Sequence, residues 1–303
     1  MDKLFYNGNI YSIDETNTKY EAIGVADGRI TFLGSNEEAA ALEAAQRIDL
    51  QGKTMLPGFI DSHLHMLNYA FVGTSYKMYD VRSIEEVIED GRRINDQLAD
   101  ADPQQWIYGR GWNETLFDGE QRVLTRFDLD KISTERPILF IRVCGHIASV
   151  NTKAMEIVLG LENCKDYIEQ IDAEQGILTE ASVKLCYNAM KEPSVEQLKD
   201  MILFAQKDIN EAGITSVESD NFLSLPGRNS ERIMQAYREL DEEKKMTLRV
   251  REQASFTAYS DMKAFIDKGY RTGQGTDYYS IGPVKLYQDG SLGAKTALMH
   301  EPF

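Results

Sequence analysis

His63 and His65 stand one residue apart at the end of an apolar stretch, Met55-Leu-Pro-Gly-Phe-Ile-Asp-Ser-His-Leu-His65. On a β-strand, residues i and i+2 face the same side. Two imidazoles on one face at a strand end can share a metal ion, and imidazole nitrogen suits zinc, iron, nickel and copper. The chain has only four histidines, so one His-x-His takes half of them. The competing reading is a pair of solvated or hydrogen-bonded loop histidines. The strand before the pair, with Pro57-Gly58 punctuating its start, favours metal binding. Asp61 falls on the same face and is placed to orient one imidazole as an outer partner.

The elements that must position this pair follow from periodicity. Residues 55–62 read as a buried strand. Farther on, Ser194 and Gln197 form a capping box that opens a helix with Leu198, Met201, Ile202, Ala205 and Ile209 on one face. Gly213 stops it. Strands are expected at 214–219, 248–254 and 283–288, with helices at about 230–244 and 259–268 between them. Helix–strand units at this regular spacing imply parallel strands joined by right-handed crossovers. A (β/α) barrel and a doubly wound sheet both fit, and no Gly-x-Gly-x-x-Gly follows any strand to suggest a dinucleotide fold. Polar residues gather near these strands: Glu218 and Asp220, Arg251 to Gln253, Lys285 and Asp289. In a (β/α) barrel the active site forms at the C-terminal strand ends.

The rest of the chain divides around this repeat. Residues 1–54 read as a small β-rich unit, with Asp27-Gly28 as a two-residue hairpin turn between alternating segments, then a helix near 36–46 and a strand near 47–50. Ser83 and Glu86 form a second capping box, opening a helix with Ile84, Val87, Ile88, Ile94 and Leu98 on one face. The stretch 101–190 is less regular, with a strand at 137–143, and reads as an insertion or a long elaborated loop region. Trp106 and Trp112 read as packing residues.

Composition narrows the class. Thirty-three lysines and arginines against 49 acidic residues give a net charge of −16, which disfavours nucleic acid and anionic membrane surfaces as partners. Cys144, Cys164 and Cys186 are widely spaced and form no Cys-x-x-Cys, so neither a disulfide scaffold nor a zinc knuckle is expected. The N-terminus lacks a signal-peptide pattern and no run approaches a membrane span. A soluble cytoplasmic protein is the expectation.

At this point specific phrases point to a family. Leu56-Pro-Gly-Phe-Ile-Asp-Ser-His-Leu-His65 resembles the amidohydrolase superfamily signature Pro-Gly-x-x-Asp-x-His-x-His, which ends that superfamily's first barrel strand. Gly109-Arg-Gly-Trp-Asn113, Gly176-Ile-Leu-Thr-Glu180 and Val284-Lys-Leu-Tyr-Gln-Asp-Gly-Ser-Leu-Gly293 are similar to the branch of N-substituted formamide deformylases and exoenzyme-regulator-like hydrolases. The resemblance implies an α/β fold: a (β/α)8 (TIM) barrel with a small N-terminal β-sandwich-like domain over 1–54. The barrel would occupy 55–303, with an insertion after its first strand over about 71–190. It implies His63 and His65 as metal ligands for Zn2+ or another divalent transition metal, one or two ions. Lys285 falls where the superfamily places a lysine that is often carboxylated and bridges two metals. Glu180 would be a competing carboxylate ligand, and His146 and Asp289 substrate contacts. Near His146 the family tends to have an aspartate, and this chain has Cys144-Gly145 instead.

The implied reaction is hydrolysis of an amide or formamide-type C–N bond in a small molecule by a metal-activated water. The superfamily's general-base aspartate and two further ligand histidines sit on later barrel strands, which places them beyond Phe303. Four barrel strands are legible against the eight of a closed barrel. The sequence therefore looks like the N-terminal half of a longer hydrolase, incomplete as a barrel, inactive alone, and expected to need the other half or to self-associate. The alternative is a catalytically silent regulatory or interaction protein on the same fold.

Overall fold

A computed structural model describes residues 1–286, 288–289 and 297–301. The chain divides into two compact units, Met1–Ile60 and Asp61–Phe303.

The first unit holds two small sheets. In one, Arg29–Gly34, Ala22–Ala26, Lys3–Tyr6 and Gln46–Asp49 lie in that order; in the other, Lys19–Tyr20, Asn9–Tyr11 and Thr54–Met55. The hairpin at Asp27-Gly28 is as expected. Ala26 pairs with Arg29, and both turn residues have positive φ, 51° and 72°, the signature of a type I′ turn. The helix expected at 36–46 is shorter, Asn36–Ala40, closed at its start by a complete Ser35/Glu38 capping box.

The second unit carries two sheets. One has four strands in the order Tyr279–Lys285, Arg249–Ser255, Ile214–Ser219, Phe59–Leu64. The first three run parallel, and the helices Ser230–Glu242 and Tyr259–Asp267 lie between them in sequence. The helix Val195–Glu211 precedes them, and its Ser194/Gln197 capping box is complete. Gly213, at φ 82°, supplies the left-handed residue that ends it. Leu198, Ile202, Ala205, Val217, Ile233, Met234, Tyr237, Leu240 and Val250 form one buried cluster with Met66 and Leu67. Each large apolar side chain so buried contributes about 1.5–3 kcal/mol.

Two readings of these strands are corrected. The last strand starts at Tyr279, not Pro283. Pro283 lies inside it, opposite Gln253, where the register with the neighbouring strand shifts between Glu252 and Ala254. A bulge tolerates the missing N–H that an ordinary ladder position would not. The His-x-His strand is an edge strand rather than a buried one: Phe59 is 58% and Ile60 74% exposed.

The stretch 101–190 is not a loop region but forms one six-stranded sheet together with Tyr76–Lys77. The strands lie in the order Ile171–Asp172, Ile177–Thr179, Ile147–Val150, Ile138–Arg142, Ile107–Trp112, Tyr76–Lys77, with buried clusters around Leu139, Val150 and Leu178 and around Trp112, Phe117 and Phe140. Trp112 is fully buried and its indole N–H donates to Phe140 O at 3.1 Å. The phrase Gly109-Arg-Gly-Trp belongs to this sheet. Gly111 has φ 114° at a register shift, a conformation that favours glycine. The Ser83/Glu86 capping box is half formed: Ser83 accepts from Glu86 N, but the Glu86 carboxylate takes the N–H of Arg82. Among the described residues no helix is long and apolar enough to cross a membrane.

Candidate functional site

His63 and His65 emerge at the end of the Phe59–Leu64 strand, and their rings lie 5.2 Å apart, edge to face. Alternation along the strand puts them on one face, as the spacing requires. Asp61 accepts from the backbone N–H of His63 at 3.0 Å, so its recorded bond steadies the backbone rather than an imidazole.

His65 is also the N-cap of the helix Met66–Gly73, yet its side chain makes no capping bond. The neighbouring strand supplies the caps instead. Ser219 Oγ accepts from Met66 N and Asn221 Oδ1 accepts from Leu67 N, each at 3.0 Å. Asp220 N donates to Leu64 O at 2.9 Å. His65 Nδ1 lies 3.0 Å from the backbone carbonyl of Asp220. A carbonyl only accepts, so Nδ1 carries the proton, and in the neutral imidazole the lone pair is then on Nε2, where a metal can take it. That is the tautomer a ligand histidine needs, and the pair fits a divalent transition ion on this ground.

The Asp220 side chain continues the site. It is 1% exposed; Oδ2 is 2.7 Å from Lys285 Nζ, and Oδ1 accepts from Ser255 Oγ. The structure therefore brings Lys285 to the strand ends that carry His65, and it stands there as an ammonium paired with a carboxylate. Behind Asn221 lies Glu252, fully buried, accepting from Asn221 N at 2.8 Å and Asn221 Nδ2 at 2.7 Å. Burial first, then the Asp220 charge, push the Glu252 carboxyl up to about 8. Glu218 is engaged elsewhere, by Arg251 at 3.3 Å and Gln253 Nε2 at 3.2 Å.

Glu180 and His146 form a separate pair. Glu180 Oε2 is 3.0 Å from His146 Nδ1, both side chains are exposed, and both sit at the rim of the six-stranded sheet. Among the described residues no bond joins either to His63 or His65, and no third His, Cys, Asp or Glu completes a metal-ligating group. Asp289 accepts from Leu298 N at 2.8 Å. In the phrase Val284–Gly293, Tyr287 and 290–293 lie outside the described residues.

Ser219, Asn221 and Ser255 were not singled out from sequence, and Glu252 was named only within the polar run Arg251 to Gln253. One signal was present for Glu252. Val250, Glu252 and Ala254 occupy one face of the strand and all three are buried, so a carboxylate sits in an otherwise apolar alternation.

A recess of about 390 Å³ opens beside the Met66–Gly73 helix, where Asn68, Lys184, Tyr187, Leu223 and Arg228 contribute to its wall. Asn68 comes three residues after His65, and the 223–228 loop follows the Ile214–Ser219 strand. Among the described residues its lining includes two cations and no carboxylate.

The chain is 29% identical to Bacillus subtilis YtcJ over 312 residues, a match that covers all of this chain and 57% of YtcJ. It is 29% identical to the N-substituted formamide deformylase of Arthrobacter pascens over 198 residues, 62% of this chain and 36% of the deformylase. A crystal structure of an uncharacterized metal-dependent hydrolase from Pyrococcus furiosus superimposes with a TM-score of 0.79 at 27% identity, covering 99% of this chain and 59% of that one. The chain thus spans about half the length of the relatives it matches. The resemblance carried by Leu56–His65 and the branch phrases holds: the sequence pattern of the amidohydrolase family matches residues 46–303, and the chain belongs to that family.

Proposed function

We propose that this chain contributes the metal-binding strand ends of a hydrolase that cleaves an amide or formamide-type C–N bond in a small molecule. One observation carries the reading: His63 and His65 are paired at a strand end, with His65 Nδ1 committed to the Asp220 carbonyl. His63 and His65 would hold the ion, zinc or another divalent transition metal, with Lys285 within the same cluster of strand ends. When bound, the ion supplies Lewis acidity for a carbonyl and acidifies a water. The residues of this chain hold the imidazole in the ligating tautomer, anchor Lys285 and wall the adjacent recess. That lining disfavours a cationic substrate and suits a neutral or anionic amide. Glu180 is proposed as a carboxylate at the rim of the six-stranded sheet with His146, and Asp289 as a loop contact to substrate.

The four-stranded sheet is read as the first half of a (β/α)8 barrel, after an N-terminal β-unit over 1–54 and with the 71–190 sheet inserted behind the first strand. Strand number supports this, four against eight, as does the share of each relative that is covered. The general-base aspartate and remaining ligands would come from the other half. Exposed Phe59, Ile60 and Leu286 at the two edge strands favour self-association or pairing with that half. Family membership and a metal-dependent hydrolase neighbour favour this reading over a catalytically silent interaction protein.

Elemental analysis of the purified chain tests it. Bound zinc should fall at least about tenfold in His63→Ala, the scale expected when even an outer partner of a ligand is lost. Unchanged zinc would sink the metal site. Amine release from a panel of N-formyl and N-acyl amines, by the chain together with its other half, tests the reaction.

A further inference from the structure

We propose that Glu252 is a positioning residue for His65, acting through Asn221 to hold the imidazole in its Nδ1–H tautomer. Three consecutive residues, Ser219, Asp220 and Asn221, meet the segment 64–67 through four hydrogen bonds, all between 2.9 and 3.0 Å. Their rigidity decides whether the Asp220 carbonyl stays opposite His65 Nδ1. Asp220 is held from outside by Ser224 Oγ, which donates to the same carbonyl at 2.7 Å, and by Ser255 and Lys285; Asn221 is held by Glu252. The Asn221 side-chain oxygen faces Leu67 N and Ser219 Oγ, and its amide nitrogen faces Glu252 Oε2 and, at 3.2 Å, Tyr237 Oη. A second bond, from Asn221 N to Glu252 Oε1 at 2.8 Å, makes the carboxyl group bidentate, and with or without its proton each oxygen keeps a lone pair that accepts. Two acceptor oxygens matched to two N–H donors of one residue set both the flip of its amide and the path of its backbone. A glutamine at 252 offers one acceptor and turns an NH2 toward an Asn221 donor. All four groups are buried, so no water repairs the mismatch cheaply.

The inference rests on the reading of His65 as a ligand, but its test does not need the metal. In 15N-labelled, metal-free chain, long-range 1H–15N spectra distinguish the two histidine tautomers. Only four histidines contribute, and His65→Ala identifies the His65 pattern. Wild type should show Nδ1–H. Glu252→Gln should lose it and show the mixed pattern of an unrestrained imidazole, with His146 and His300 unmoved. A wild-type His65 pattern in folded Glu252→Gln overturns the proposal. If that variant does not fold, Ser219→Ala, which removes the hydroxyl that accepts from Met66 N and donates to Asn221 Oδ1, carries the test: loss of the Nδ1–H pattern supports the clamp and an unchanged pattern overturns it. Adding Zn2+ to the same wild-type sample separates the two ideas. A shifted Nε2 signal supports the ligand reading in which the clamp matters, and an unmoved one ends that reading whatever the tautomer.

Discussion

Lys285 Nζ lies 2.7 Å from Asp220 Oδ2, and the carbonyl of the same Asp220 receives His65 Nδ1–H. One residue thus ties two family-implied ligands together, one through its side chain and one through its backbone. This bears on whether Lys285 is carboxylated. A carbamate is an anion, and beside the nearly inaccessible Asp220 carboxylate it would set two like charges at ion-pair distance, which is unfavourable unless a cation intervenes. In 13C-bicarbonate-equilibrated chain, a carbamate carbon should therefore be absent without metal and arise only with a divalent ion. A carbamate signal in chelated protein would refute this.

The same pair makes a stability prediction. Asp220→Asn removes the nearly inaccessible carboxylate that meets Lys285 Nζ, whose side chain is 21% exposed. Removing one partner of a largely buried ion pair costs about 3 kcal/mol, and urea unfolding should show a midpoint lowered accordingly. A change below about 0.5 kcal/mol would mean that solvent screens the pair as it does on surfaces.

Glu252 gives a pH dependence of definite sign. Its carboxyl is raised to about 8 from an ordinary value of 4.5, first by burial and then by Asp220. The folded state therefore binds this proton more tightly than the unfolded state. The contribution is complete below about 4.5 and is lost as pH rises through about 8. Glu252→Gln, which cannot ionise, should lack this slope. Denaturation midpoints of the two proteins across that window should converge or cross as pH rises. Parallel curves would count against the buried proton.

The His-x-His pair was legible because its geometry is local: a two-residue spacing on a strand needs no knowledge of distant chain. The same holds for the Asp27-Gly28 turn and the Ser194/Gln197 box, each decided within a few residues. Pro283 was misread because a proline normally begins a strand, and only the register shift opposite Gln253 makes room for it inside one. The pairing of His146 with Glu180 was not legible for a different reason. It depends on Ile147–Val150 and Ile177–Thr179 being antiparallel with Ile147 opposite Thr179, which places 146 across from 180. No spacing within either segment encodes that. The capping of the Met66 helix by Ser219 and Asn221 spans more than 150 residues of sequence and was hidden in the same way.

Asp128 titrates in the opposite sense to Glu252. Burial works to raise its pKa, but the Arg122 guanidinium and the Thr125 N–H and hydroxyl outweigh it and hold it below the ordinary 3.8. Its contribution is present above that value and is lost as pH falls through the lowered one. Asp128→Ala should destabilise the chain by about 1–3 kcal/mol at neutral pH, the cost of leaving Thr125 N–H without its acceptor, since Arg122 keeps Glu120 at 3.0 Å; the difference from wild type should be smaller in strong acid. Equal stability at neutral pH would show that Thr125 N–H and the partly exposed Arg122 are well solvated without it.

Cys144 lies two residues before His146, and its surroundings suit an anion. Partial burial opposes ionisation, but His146 N, 3.5 Å from Sγ, and the Arg142 guanidinium outweigh it and draw the thiol below its ordinary range. Cys164 and Cys186 are buried, and burial pushes the Cys186 thiol up. The thiolate is the nucleophile, so iodoacetamide should alkylate Cys144 first and leave the other two intact while the chain is folded. Peptide mass spectrometry over a pH series should place the midpoint of Cys144 labelling below that of a model thiol, and Arg142→Ala should move it up. Equal labelling of all three cysteines, or a midpoint indifferent to Arg142, would show that this loop does not favour the thiolate.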